Sequence, residues 1–260
     1  MYFVYAVYGK VVTDLSFNIT YYNEPHFLQW WYSTFKRLHE NGLAINLNIV
    51  DDGSQNRPAI DFFEKYQPPD TFRLFRVKED IGFNSHGCRN LLMQQTTTDW
   101  NVLCDIDLTI ADDVIEDIVS FDKHMGKYYM LWDTAMKEMC LNQFCVHKED
   151  FRKSGGYDEE FVNKHYGDRL FFSGSLGRIC KRASMDGWWC HIERRKRNKV
   201  YADVKRLQYP DDFTMVVPIN FDWADPEYRK NLIEFVTERN KDPVKRMNKP
   251  TINFEWEQVF

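Results

Sequence analysis

The sequence predicts an α/β fold: a mainly parallel central sheet flanked by helices. Two observations carry this. Strand and helix patterns alternate from Leu15 to Asp107, giving four strands separated by three helices. Polar residues recur where the strand patterns end, which is where an open parallel sheet binds its ligands.

The elements follow in order. "LSFNIT" (Leu15 to Thr20) alternates as a strand. In the next segment Phe27, Trp31, Phe35 and Leu38 recur at helical spacing, and Asn41-Gly42 marks the exit. "LAINLNIV" reads as a second strand that breaks into the turn Asp51-Asp52-Gly53-Ser54. A short helix is expected from Pro58 to Tyr66, stopped by Pro68-Pro69. "TFRLFRV" is a third strand, "SHGCRNLLMQQ" a third helix and "NVLCDID" a fourth strand. Beyond these, "DDVIEDIVSF" reads as a helix, "KYYMLWD" as a strand and Pro226 to Glu238 as a late helix. With no repeat or clean linker, the expected organisation is one domain over 1–208 and a C-terminal extension over 209–260 packed on or beside it.

Composition narrows the classes. The chain has 260 residues, 43% hydrophobic and 16% aromatic, which suits a packed core and argues against general disorder. Its 34 basic and 39 acidic residues leave a net charge of -5, so no global attraction to nucleic acid or anionic membrane is expected. One dense basic run, Glu193 to Lys199, is either a solvated segment or a local phosphate contact. The six cysteines form no CxxC pair, as expected of buried thiols in a reducing compartment. No stretch approaches the roughly 20 apolar residues of a membrane-spanning helix, so a soluble cytoplasmic protein is expected. Asn18-Ile19-Thr20 matches a glycosylation sequon but lies in a core strand, which argues against its use.

The chemistry-bearing residues cluster at the strand ends: Thr20 to Glu24, Asp51-Asp52, and Asp105 with Asp107. If the fourth strand continues through "LCDIDL", Asp105 and Asp107 share a face. Adjacent carboxylates repel unless a cation lies between them, so they either cap a turn or hold a hard cation such as Mn²⁺ or Mg²⁺. The DDGS segment is either an ordinary turn or a carboxylate that accepts hydrogen bonds from a nucleobase or ribose, with Gly53 turning the chain beneath it. No Gly-rich phosphate loop accompanies these acids, and a metal could hold the phosphates instead.

Five segments, "NITYYNE", "IVDDGS", "IGFNSHGCRN", "LCDIDL" and "SGGYDEEFVNKHYGD", resemble in order and interval an inverting glycosyltransferase of the GT-A fold, glycosyltransferase family 2. The resemblance covers roughly residues 14 to 192. It implies a nucleotide-sugar donor, usually a UDP-sugar, a divalent metal on the D-x-D acids, and a carbohydrate or other hydroxyl acceptor. It further implies that Thr20 and Tyr22 flank the base and ribose, that Asp52 contacts the uracil, and that Arg89 lies on the base and diphosphate side. Glu24 and Asp105 belong to the same donor set, Asp107 and Asp105 to the metal, and His191 to the metal shell. Asp168 corresponds to the catalytic base. Gly167 stands where the family has a glutamate, which leaves the acceptor contact of that glutamate without a side chain. Arg169 would weaken Asp168 as a base if it pointed at it. Trp188 and Trp189 could stack on a sugar or pack as a lid. The rival readings are a sugar-phosphate nucleotidyltransferase, which should carry a Gly-rich phosphate loop, and a non-catalytic glycan-binding module, which would turn over no donor.

Overall fold

Alternating apolar positions divide each strand between two faces, and helices cover both. The computed structural model describes residues 5–7, 10–107, 110–133, 138–164, 166–182, 226–241 and 252–260. In chain order the first elements are β1 (Tyr5–Val7), β2 (Lys10–Tyr21), α1 (Pro25–Glu40), β3 (Leu43–Asp51) and α2 (Ala59–Lys65). β4 (Phe72–Val77), α3 (Ser85–Gln95), β5 (Trp100–Asp105), α4 (Asp112–Ser120), β6 (Lys127–Asp133) and β7 (Glu138–His147) come next. Then α5 (Lys148–Ser154), α6 (Gly167–Leu170), a π-helical run Phe171–Leu176, α7 (Gly177–Ile179), β8 (Lys181–Arg182), α8 (Pro226–Lys241) and β9 (Trp256–Gln258) complete the described chain.

Among the described residues the sheet order is β8-β6-β7-β5-β2-β3-β4-β9, with β1 folded back on β2. The four expected strands form its parallel centre, β5-β2-β3-β4. β7 joins β5 antiparallel, β6 joins β7 antiparallel, and β9 adds an antiparallel edge to β4. That last pairing brings residues 256–258, which carry no strand expectation, into the central sheet.

One face of the sheet packs Phe17, Ile19, Leu47, Ile49, Leu74 and Val102 under α1, α2 and α4. Trp31, at 0% exposure, anchors α1 there and donates its indole N–H to the Ile106 carbonyl at 2.9 Å. The helical stripe runs through Leu28, Trp31, Tyr32, Phe35 and Leu38, while Phe27 is only half-buried. The other face packs Val50, Phe75 and Val77 against Cys88, Leu91 and Leu92 of α3. Asn18, Asn48 and Asn101 cross this face as a buried ladder: Asn48 donates to Asn18 at 2.9 Å and Asn18 to Asn101 at 3.2 Å. Asn18 is fully buried and bonded to Asn48 and Asn101, so its amide is not accessible in the folded protein. Among the described residues Cys88, Cys104, Cys145 and Cys180 are buried thiols outside any disulfide.

Candidate active site at the carboxyl end of the sheet

β2, β3 and β5 end side by side, so their last residues converge. Thr20 is level with Val50 of β3 and with Asp105 of β5. The paired acids of the DDGS turn divide their work. Asp51 accepts the Ser54 amide at 2.9 Å and the Ala59 amide at 2.7 Å, which closes the turn and starts α2. Asp52 accepts the Asn84 amide at 2.8 Å through Oδ2, and its Oδ1 has no hydrogen-bond partner among the described residues. Burial pushes the Asp52 carboxyl up to about 7, although the Asn84 amide and the Cys88 thiol pull against it. Gly53 adopts φ +73°, and a Cβ there would lie 2.8 Å from the Glu79 carbonyl oxygen. The turn therefore needs glycine both for its backbone and for its closeness to the β4–α3 loop.

The D-x-D acids depart from the expected strand geometry. β5 ends at Asp105, and Ile106-Asp107 is a turn, so the two carboxylates are not neighbours on one strand face. Ile106 turns back to pack on the α1 side of the core, which releases Asp107 to an exposed position. Asp105 stays half-buried on the α3 side. Its Oδ1 accepts Arg89 Nη2 at 2.5 Å and its Oδ2 accepts Asn142 Nδ2 at 2.8 Å.

Arg89 joins the two candidate functional acids. Buried to 1% exposure in α3, it also donates from Nη1 to Asp168 Oδ1 at 2.7 Å, and its guanidinium lies 5.5 Å from the Tyr157 ring centroid. Burial disfavours its charge, but Tyr157, Asp105 and Asp168 outweigh that and hold the proton firmly. The resemblance puts Arg89 on the base and diphosphate side of a donor; its partners here are the two carboxylates Asp105 and Asp168. Asp168 lies in the first turn of α6 with 23% of its side chain exposed. Burial pushes its carboxyl up, yet Arg89 and His86 outweigh burial and hold it at about 2, below the ordinary 3.8. The arginine that weakens this carboxylate as a base is thus Arg89. Arg169 lies over the Tyr166 ring at 5.3 Å.

Tyr22 donates its hydroxyl to Asp80 Oδ2 at 2.7 Å, and burial with this bond pushes its pKa up to about 12. Glu24 precedes α1, and its carboxylate stands 3.3 Å from His26 Nδ1. His191, Trp188, Trp189 and the Glu193 to Lys199 run lie outside the described residues. Among the described residues no group of three or more His, Cys, Asp or Glu forms a metal cage. Among the described residues, Asp105 and Asp107 bring hard oxygen donors to this end of the sheet, the ligand chemistry that suits a divalent cation.

Asp80, His86, Asn142 and Tyr157 complete the arrangement and escaped the sequence reading. Asp80 follows the third expected strand and so carried the same strand-end signal as the named acids. His86 lies in the quoted segment "IGFNSHGCRN", from which only Arg89 was drawn. Tyr157 lies in the quoted segment "SGGYDEEFVNKHYGD", of which only Gly167 and Asp168 carry a reading, and Asn142 has no local signal, since tertiary packing alone brings it to Asp105.

Comparison with known proteins bears on this geometry. No curated protein matches the chain. Among solved structures, residues 1–349 of S. aureus TarS superpose with a TM-score of 0.54 at 14% identity, covering 68% of this chain and 59% of that one. The same TarS fragment in complex with UDP-GlcNAc gives 0.53 at 15% identity, over 68% and 57%. The mannosyltransferase PcManGT from Pyrobaculum calidifontis, in complex with GDP-Man and Mn2+, gives 0.52 at 13% identity, over 88% and 75%. The chain thus spans less than two thirds of the TarS fragment, and at these identities the likeness is one of fold. The family model described as glycosyl transferase family 2 matches residues 16–175, more than half of the chain, including β3, β4, β5 and the carboxyl end of β2. With its mixed, mostly parallel sheet between helices and its acids at the strand ends, this chain belongs to glycosyl transferase family 2.

Proposed function

We propose that the chain transfers a sugar from a nucleotide-diphosphate donor to a hydroxyl acceptor by direct, inverting displacement. A UDP-sugar is the donor and a glycan the acceptor in this reading. The observation that supports it best is the chain of contacts Asp105–Arg89–Asp168. It holds a donor-side acid and a partly exposed carboxylate in one fixed frame at the carboxyl end of the sheet.

Asp52, with an unpartnered Oδ1, can accept an N–H of the base, and Thr20 and Tyr22 border the same strand ends. Asp107 and Asp105 would hold Mn²⁺ or Mg²⁺. That cation supplies charge neutralisation of the departing diphosphate. Asp107, exposed in the turn after β5, would be a direct ligand, and Asp105, whose oxygens accept Arg89 and Asn142, would contribute from the strand end. Asp168 accepts the proton of the attacking hydroxyl. A carboxylate held near 2 is a weak base before attack. It serves by taking the proton late, as the hydroxyl oxygen bonds to the anomeric carbon and becomes acidic. The rival base candidates are otherwise engaged: Asp158 caps the following turn, and Glu159 accepts amide protons from Asn90, Ile252 and Asn253.

Release of nucleoside diphosphate from a panel of nucleotide sugars with Mn²⁺ tests the reading. Asp168→Asn should keep donor affinity and slow turnover by about 10²–10⁴-fold. Asp107→Ala should abolish the metal-dependent part of donor affinity. Wild-type turnover in the first variant would remove Asp168 as the base, and unchanged metal dependence in the second would remove Asp107 as the ligand.

A further inference from the structure

Gly167 and His86 are distant in sequence and compete for one volume. A Cβ on Gly167 would lie 2.5 Å from both Cε1 and Nε2 of His86. Gly167 does not supply a left-handed backbone; Tyr166 before it has φ 73° and takes that role. The glycine is instead the space into which the imidazole fits. His86 is 3% exposed, with its ring centroid 5.1 Å from that of Tyr157 and 6.0 Å from that of Phe161. Its Nε2 is buried with no hydrogen-bond partner among the described residues, and it lies 3.7 Å from Asp168 Oδ2. Arg89 holds the opposite oxygen, Oδ1. An apolar ring would fill this volume without an orphaned nitrogen, so packing alone gives no account of the imidazole. A shift of under roughly 1 Å would bring Nε2 and Oδ2 into hydrogen-bond range.

Resting on the reading of Asp168 as the base, we propose that His86 is its positioning residue. Nε2–H donates to Oδ2 when the site fills, so that Arg89 and His86 grip the carboxylate from both sides. Gly167 is the permissive partner of this arrangement, because any side chain there expels the ring. The carboxylate keeps its remaining lone pairs for the acceptor hydroxyl, in an orientation that a single arginine contact would leave free to rotate.

The test uses the full chain with UDP-glucose, UDP-galactose and UDP-N-acetylglucosamine in the presence of Mn²⁺, following UDP release. His86→Phe keeps the ring and removes the donor. It should lower kcat by about 10–100-fold, the scale of an ångström-level misplacement, with the donor KM and the Kd for UDP within about twofold of wild type. His86→Gln, whose terminal amide N–H reaches the place of Nε2, should restore most of kcat, whereas the shorter His86→Asn should not. Wild-type kcat in His86→Phe, or equal impairment of the Phe and Gln variants, overturns the proposal. If His86→Phe does not fold, the Gln and Asn variants decide, and equal kcat in those two overturns it. A readout independent of turnover is the ¹⁵N-histidine spectrum with UDP and Mn²⁺ bound. The Nε2 resonance of His86 should move in Asp168→Asn and stay in place in Glu160→Gln; no movement in the former overturns the proposal. Asp168→Asn assayed in parallel separates the two levels. Wild-type transfer there sinks the base reading and this proposal with it. A slow Asp168→Asn beside a fully active His86→Phe sinks only the role of His86.

Discussion

Replacing Arg89 by Met keeps an unbranched side chain in α3 but removes the charge between Asp105 and Asp168. The magnitude follows from the contacts. Two charge-assisted hydrogen bonds, at 2.7 and 2.5 Å, are lost, each worth about 1.5–3 kcal/mol. Cutting one member out of a fully buried ion-pair set costs about 3–5 kcal/mol, because the partners keep their charge without compensation. Here the carboxylates retain 23% and 30% side-chain exposure, so water recovers part of the loss. An expected destabilisation of about 2–4 kcal/mol at pH 7 results. Its pH dependence is the sharper signature. In the wild type the Asp168 carboxyl is held at about 2 against an ordinary 3.8. The folded state therefore gains about 2.5 kcal/mol that is fully present above the ordinary carboxylate pKa and is lost as pH falls through the folded one. Without Arg89, burial dominates and the Asp168 pKa rises, so acidification neutralises the uncompensated charge. The gap between wild type and variant should narrow from pH 7 to pH 4. Urea unfolding followed by tryptophan fluorescence at both pH values measures it. A difference below about 1 kcal/mol at pH 7, or one that does not narrow at pH 4, would refute the placement of Arg89 as the strut of this site.

Two further outcomes are expected. Asp52 is raised to about 7, so the native protein holds a proton that the unfolded chain gives up above the ordinary carboxylate pKa. Its contribution to stability falls as pH climbs through that window. Asp52→Asn should accordingly gain on wild type by on the order of 3–4 kcal/mol between pH 4 and pH 8, and a pH-independent difference in urea midpoints would count against it. Glu159 binds the amides of Ile252 and Asn253 and the side chain of Asn90. Glu159→Ala should speed amide hydrogen exchange across residues 252–260 and lower stability by about 1–3 kcal/mol; unchanged protection of that segment would place its anchor in β9 alone.

The sequence by itself determined the parallel centre of the sheet. Leu47, Ile49 and Leu74 alternate with residues of the opposite face, and a period of two admits only one assignment of faces. It also located Thr20, Asp52 and Asp105, because strand ends are set by where that alternation stops. It misplaced Asp107 on the strand, since hydrophobic pattern cannot tell the last strand residue from the first turn residue: Ile106 is apolar either way, and only its packing on the α1 side of the core shows that the strand has ended. Tertiary structure alone decided which arginine faces Asp168. Arg169 is its neighbour in sequence, but the first turn of α6 sends it over Tyr166, while Arg89 arrives from α3 across the sheet face. The purpose of Gly167 was equally hidden. A missing side chain has no pattern of its own, and what fills the space, the ring of His86, is set by how α3 and α6 meet. Local alternation and turn chemistry are properties of neighbours along the chain. Charge pairing and shared volume are properties of neighbours in space, and these the fold alone supplies.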